Sequence, residues 1–517
     1  MERSILHIYR ISRVPRAALF LSILLSFYFV LTSVFAASQE KSSTTVIINA
    51  EVADGTGAPL RKFNVRISGD RIADIGEFKP KKDEAIIDAQ GLVLAPGFID
   101  IHNHSTEGLE KDPLAETQIA QGITTVILGA DGDSPWPIGP WLDARRKNPA
   151  SLNLAVLVGH ATVRQLVLGK DYRRAATAPE IEKMSLLVDQ GMHEGAIGLS
   201  SGLEYDMGSY STTDELVALA GAAAKLHGFY MTHIRDEAGL SFQALNEEIA
   251  IGERAHIPVE HSHIKLGAVS VWGKASDYIR VIDAARLRGL DFLADCYPYD
   301  AWHSNIKVLV PSKHYEDPQT VSKALEAVGG PGHVTIIKFP PNLAYEGHTI
   351  EDLAGQRGIS PAEMYIRIIR EGDAANTEAE VIGQSMVERD IRAFYEQPWV
   401  MVASDGGIGS LHPRGAGTFP RVLGLYVRER HWLSLPEAVR KMTSLPAQRL
   451  GWKDRGILRQ GAFADLVLFN PATVIDRSTF QNPFALPTGV EKVFVNGVLV
   501  WDDGKPTGAR PGHVLPD

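Results

Sequence analysis

His102 and His104 stand one residue apart at the end of the apolar run Gly97-Phe98-Ile99-Asp100-Ile101. In a β-strand side chains alternate faces, so residues i and i+2 project the same way. Two imidazoles so placed can reach one metal ion, and imidazole is a ligand for zinc, nickel, iron and copper. A lone His-x-His also occurs on ordinary surface strands. Here, however, more metal-capable residues close later apolar runs: Asp131, His160, His233, His261, His263 and Asp405. His160 reads equally well as a hydrogen-bonded structural residue. His261 and His263 share a face if both lie in a strand, and one of them can then serve to orient the other.

The elements that must position these groups follow from the pattern of apolar runs. Strands are expected at 98–104, 124–129, 153–160, 195–202, 229–235, 259–265, 291–299 and 399–405, with helical stretches between them. Residues Asp214 to His227 carry apolar positions at helical spacing behind the capping candidates Ser211, Thr212 and Thr213. Ser434-Leu435-Pro436-Glu437 reads as a capping box with proline in the first turn. Strands that alternate with helices in this way predict an α/β chain folded as a (β/α)₈ TIM-like barrel, whose strand C-termini converge on the active site. The first seven strands begin 26 to 42 residues apart, whereas 108 residues separate the starts at Asp291 and Trp399. That excess predicts a subdomain inserted before strand eight, about residues 303–397, on the catalytic face.

The barrel is expected over 96–450. Before it, Thr45 to Val52, Phe63 to Ser68, Arg71 to Ile75 and Ala85 to Ala89 read as short strands, with Gly69-Asp70 as a hairpin turn. After it, Ala464 to Phe469 and Val493 to Val500 are strand-like, and Asn496-Gly497 is a strong turn signal. The segments 44–95 and 451–517 are therefore expected to combine into one small β-sandwich. At the N-terminus, Arg3, Arg10, Arg13 and Arg16 precede the apolar run Ala17 to Ala36, which ends in Val34-Phe35-Ala36. This reads as a secretory signal over 1–36, with a permanent membrane anchor as the alternative. Cleavage would give a protein exported to a bacterial periplasm and free of the membrane. The single cysteine, Cys296, excludes an intramolecular disulfide. With 44% hydrophobic and 22% charged residues the composition is that of a globular protein. A net charge of −10, with no basic block after the N-terminus, argues against a nucleic-acid partner.

With these residues in view, the chain resembles the metal-dependent amidohydrolase superfamily and, within it, the D-aminoacylase (N-acyl-D-amino-acid deacylase) group. The resemblance runs through Pro96 to His104, Gly198-Leu199-Ser200-Ser201-Gly202-Leu203 with Tyr205, Thr232 to Glu237, and Ser262-His263-Ile264-Lys265. It continues through Tyr297-Pro298-Tyr299, Ser404-Asp405-Gly406, His412-Pro413-Arg414, Gly417 to Arg421, Lys441 to Ala447 and Asp454-Arg455-Gly456. The resemblance implies that His102 and His104 bind at a weaker metal site and His233 and His263 at a tighter one. It implies that Asp405 is the general base and acid, and that Lys265, Tyr205, Tyr297 and Arg414 lie near the substrate. The group usually carries a cysteine ligand after strand two. Here the segment is Gly129-Ala130-Asp131-Gly132-Asp133, so Asp131 takes that position. A carboxylate is a harder ligand than a thiolate; zinc, one or two ions per chain, is the expected cofactor, with manganese or iron as alternatives.

The chemistry implied is hydrolysis of the amide bond of a small N-acylated D-amino acid to a carboxylate and a free D-amino acid. Two other readings stand beside it. One is metal-dependent cleavage of dipeptides or cyclic amides, in the manner of isoaspartyl dipeptidase or dihydroorotase. The other is a scaffold that keeps the barrel without catalysis, against which the presence of Asp405 among four ligand-position histidines counts. Arg235, Lys265 and Arg414 are each candidates to pair with a substrate carboxylate.

Overall fold

In the computed structural model residues 44–516 are described. The expected signal segment lies outside the described residues, and among these no helix is long and apolar enough to cross a membrane.

Eight parallel strands close into a barrel. Phe98–Asp100 pairs with Ile123–Leu128, and this with Asn153–Val156. The third strand breaks at Leu157 and resumes as Val158–Gly159, which pairs with Gly198–Gly202. Phe229–His233, Val259–His261, Phe292–Cys296 and Val400–Val402 follow in register. The ring is sealed between the last and first strands. There Asp405 N–H donates to the His102 carbonyl (3.0 Å) and His104 N–H to the Gly406 carbonyl (2.6 Å). Every residue of Ile123–Leu128 is buried, as expected of a parallel strand covered on both faces. All eight expected strands are present; the fourth ends at Gly202 as expected, and the other seven end one to four residues before the expected position.

The helices between strands start where the sequence supplies caps. The Thr212 hydroxyl accepts from Glu215 N–H at the head of Thr213–Ala224, and Ser434 from Glu437 N–H at the head of Leu435–Met442. Each such cap stabilises its helix by about 1 kcal/mol.

The insertion before strand eight has its own three-stranded antiparallel sheet. Glu380–Gly383 is central between Trp302–Asn305 and Val334–Lys338. Helices Pro318–Ala327, Ile350–Arg357 and Pro361–Ala374 pack over a separate core that includes Val321, Leu353, Met364 and Ile368. Burying each large aliphatic contributes roughly 1.5–3 kcal/mol, enough for this unit to hold a fixed shape on the barrel. Its expected end at residue 397 is too late. Ile391, Phe394 and Tyr395 of helix Glu388–Tyr395 belong to the barrel's core, so this helix covers barrel strands seven and eight.

The terminal segments form one nine-stranded sheet in which Val93–Pro96 runs antiparallel to Leu466–Phe469. The sheet curls on itself: Ile72 N–H donates to the Ala462 carbonyl and Ala464 N–H to that of Asp70, both at 2.8 Å. Ile47, Val65, Leu94, Leu466 and Phe494 fill its interior. The expected sandwich is thus a single curled sheet drawn from both ends of the chain. Asn496-Gly497 makes the expected hairpin between Val490–Val495 and Val498–Asp502.

Candidate active site

The strands stop short of the site, and the residues just beyond them turn sharply to face it. Asp131, His263 and Asp405 all adopt left-handed backbone conformations, with φ of 55°, 36° and 46°. Non-glycine residues rarely hold such angles, which cost about 1–3 kcal/mol each and collect at functional sites. Surrounding groups enforce them. Gly129 leads into the turn at Asp131, and a Cβ there would sit 2.7 Å from the Leu157 carbonyl oxygen. The Asp295 carboxylate accepts from His263 N–H at 2.8 Å. Buried Asp100 accepts from Asn103 Nδ2 (2.8 Å), Ser404 N–H (2.9 Å) and Ser404 Oγ (2.5 Å), tying strand one to the loop after strand eight. Burial pushes the Asp100 carboxyl up to about 6.

This frame brings His102, Asp131, His263 and Asp405 together, with one ligand atom from each lying within 4.8 Å of the others. His102 is fully buried. Its ring nitrogens lie 3.4 Å from oxygens of Asp131, Asp405 and Asp295. Neither nitrogen makes a hydrogen bond, nor does Asp131 Oδ1. His104 approaches from the open side, its Nε2 3.2 Å from Asp405 and 3.5 Å from Asp131. A second group shares His263: His233 and Glu237, with Glu237 3.0 Å from His263 Nδ1. His233 Nε2 also lies 2.9 Å from Glu204, and the Tyr205 hydroxyl is 3.2 Å from His233 Nδ1.

Burial opposes charge on each of these groups, yet their mutual attraction wins. It holds the Asp131 and Asp405 carboxyls well below the usual carboxylate range, Asp131 through His102 and Asp405 through Arg414. Burial pushes the His102 ring down, but Asp131, Asp295 and Asp405 lift it well above its ordinary value. Burial and Lys265 lower His263 while Glu237 and Asp405 raise it, to about 9 on balance. A cluster of buried carboxylates and imidazoles, with ring nitrogens and an oxygen left without hydrogen bonds, fits a divalent cation. The donor set is oxygen and nitrogen; Cys296 belongs to neither group, and its buried sulfur faces the carbonyl of Ile264.

The cluster opens into a cavity of about 700 Å³ at the C-terminal ends of the strands. Tyr205, Lys265 and Arg414 line it. Both cations are already engaged: Lys265 Nζ lies 2.7 Å from both Glu237 oxygens, and Arg414 Nη1 2.6 Å from Asp405 Oδ2. Tyr297 does not line the cavity. Arg414 and Lys265 cover its ring, at 4.6 and 5.8 Å from the centroid, and its buried hydroxyl has no hydrogen-bond partner. Three other residues stand apart from the site. His160 pairs with Glu215 (2.9 Å) and His261 with Glu248 (2.5 Å), both within the packed shell of the barrel. Arg235 makes a two-pronged pair with Glu247 at 2.7 and 2.9 Å, outside the cavity.

Sequence reasoning missed Glu204 and Glu237 as partners of the site histidines, and did not assign Asp295 to His102. Glu237 carried a signal, since it lies four residues beyond His233 in the stretch Thr232 to Glu237.

Residues 85–295 and 314–501 match the family model described as "Amidohydrolase family". The chain is 34% identical to a D-aminoacylase of Alcaligenes xylosoxydans xylosoxydans, over 91% of this chain and 97% of that protein. It is 35% identical to an N-acyl-D-aspartate deacylase of the same organism, over 91% and 94%. The solved N-acyl-D-glutamate deacylase of Bordetella bronchiseptica, complexed with zinc and a phosphonate mimic of the tetrahedral intermediate, superposes with a TM-score of 0.82. It is 32% identical and is matched over 92% of this chain and 99% of that one.

Proposed function

Since the chain belongs to the amidohydrolase family, and within it to the D-aminoacylase group, we propose that it hydrolyses the amide bond of N-acyl-D-amino acids. The products are a carboxylate and a free D-amino acid. The observation that carries this reading is the mutual approach of His102, Asp131, His263 and Asp405 at the floor of the cavity, with His102 and Asp131 left wanting a partner.

His102, His104, Asp131, His233 and His263 would hold one or two divalent cations, zinc first among them, with Glu237 within reach of the second. When bound, such a cation supplies Lewis acidity, which acidifies water and polarises a carbonyl. Asp131 in place of a thiolate broadens the choice toward manganese or iron. Asp405 takes the proton of the attacking water and returns it to the departing amine nitrogen as the C–N bond breaks. Lys265, Tyr205 and Arg414 draw in the substrate carboxylate, Arg414 dividing its guanidinium between that group and Asp405. Preference for the D-enantiomer is carried over from the relatives. The arginine-led apolar segment before residue 37 supports export to a periplasm, with cleavage of the leader.

The test is a screen of the purified chain against N-acetyl-D-amino acids, their L-enantiomers and dipeptides, with and without zinc, manganese or cobalt, alongside elemental analysis. The expected result is metal-dependent release of free D-amino acids. Faster turnover of dipeptides or L-substrates would overturn the assignment.

A further inference from the structure

Asp295 stands against the cluster without belonging to either ligand group. It comes from strand Phe292–Cys296, and its side chain is fully buried. One oxygen, Oδ1, accepts from His263 N–H at 2.8 Å and so braces the left-handed turn there. The other, Oδ2, has no hydrogen-bond partner, and neither has His102 Nδ1. These two orphaned atoms face each other at 3.4 Å. Buried polar atoms are rarely left unpaired, and a shift of a few tenths of an ångström would make this contact a hydrogen bond.

Bracing the turn does not by itself call for a carboxylate. An asparagine or a serine could accept from His263 N–H at far less desolvation cost than an ionised group. What only a carboxylate offers is a second acceptor on the same side chain. The His102 ring supplies the matching donor. Its Nε2 points into the cluster, 3.4 Å from both Asp131 and Asp405, while Nδ1 faces Asp295. An imidazole that ligates through one nitrogen needs its proton on the other. Two neighbouring rings are backed in the same way. His263 Nδ1 lies 3.0 Å from Glu237 and His233 Nε2 2.9 Å from Glu204, while His263 Nε2 and His233 Nδ1 approach one another at 3.0 Å.

We propose that Asp295 is a positioning residue of the metal centre. It holds the proton of His102 on Nδ1, which keeps the Nε2 lone pair turned to the cation, and the same carboxylate fixes the turn that delivers His263. One side chain thereby couples ligands that follow strands one and six. The proposal rests on the cation-binding reading of the cluster and is independent of which amide is hydrolysed.

Asp295→Asn separates the two duties. His263 N–H keeps the amide oxygen where Oδ1 was, which sets the amide nitrogen, a donor, against His102 Nδ1. The ring is then driven to the tautomer with its proton on Nε2, the nitrogen the ion needs. Zinc affinity of the metal-stripped full chain is measured by competition with a chelator of known affinity, with thermal melting on the same samples. The binding step that depends on His102 is the one lost in His102→Gln. Asp295→Asn is expected to weaken that step by about 10- to 100-fold, the range for an outer partner of a metal ligand, and to leave any step that survives His102→Gln within about threefold. A folded Asp295→Asn that binds zinc at the His102-dependent step as tightly as the native chain overturns the proposal. So does a comparable loss at a step that does not need His102, which would leave Asp295 the turn alone. A second measurement does not depend on the variant folding. In the native zinc-loaded chain, with histidine labelled for nitrogen NMR, His102 Nδ1 is expected to carry a slowly exchanging proton; an unprotonated Nδ1 overturns the proposal. A native chain that binds no zinc overturns the cation-binding reading and the proposal with it.

Discussion

Replacing Asp405 by asparagine isolates the proton-transfer role from the geometry. The side chain is 6% exposed, and its oxygens meet His104 at 3.2 Å, His102 at 3.4 Å and Arg414 at 2.6 Å. Asparagine preserves the volume and one acceptor oxygen, so the packing and the turn at residue 405 survive. It abolishes the negative charge facing Arg414 and the capacity to take a proton. A positioned general base and acid contributes typically 10²–10⁴-fold, and here one carboxylate serves both steps. The expected fall in kcat is therefore about 10³–10⁴-fold, or about 4–5.5 kcal/mol of transition-state stabilisation. KM should move only a few-fold, since Lys265 and Tyr205 are untouched. Removing one charge of a buried ion pair costs up to 3–5 kcal/mol of stability; the retained amide oxygen should hold the loss to about 1–3 kcal/mol. The assay is release of free D-leucine from N-acetyl-D-leucine by zinc-loaded protein, with thermal melting and metal content measured on the same sample. A variant that keeps metal and fold but retains kcat within tenfold of the native enzyme would refute the role given to Asp405.

Three further outcomes follow from other parts of the molecule. Asp131→Cys should retain metal but shift competition toward zinc over manganese, read by elemental analysis after equilibration with both ions. His261→Ala should lower stability by about 2–4 kcal/mol, because it strands buried Glu248, yet leave kcat of the folded protein unchanged. Glu380, bonded to His303 and Lys338, has its carboxyl lowered to about 2 from an ordinary 4.5, His303 being the largest cause. A carboxyl lowered on folding contributes stability that is present above the unfolded value and lost as pH falls through the folded one. Glu380→Gln should therefore cost about 1 kcal/mol, after allowance for solvent screening, at pH 7 and nothing near pH 2, seen in urea melts at both pH values.

Much of this architecture is legible in the sequence because parallel barrel strands are short apolar runs and the turns between them carry glycine and capping residues. Ile123–Leu128 and Phe292–Cys296 announce themselves in this way. The positions of the site residues do not follow from strand periodicity. His102, His104, Asp131, His263 and Asp405 all lie beyond the strand ends, where left-handed turns and not pleating decide direction. His261 shows the consequence. It ends its strand and points into the shell toward Glu248, while His263, two residues on, reverses into the cavity. Glu204 is hidden for the same reason, being brought to His233 by the loop after Gly198–Gly202. The boundary of the insertion was misplaced because helix Glu388–Tyr395 is amphipathic like its neighbours, and only packing shows that its apolar side covers the barrel.

The most direct measurement is turnover of N-acetyl-D-leucine as a function of divalent metal bound to the full chain, after stripping with a chelator and stepwise return of zinc. The account predicts that activity disappears with the metal and returns as the His102, Asp131, His263 and Asp405 cluster fills, and that His102→Asn abolishes the return. Full turnover by a preparation in which elemental analysis finds no divalent ion would contradict it.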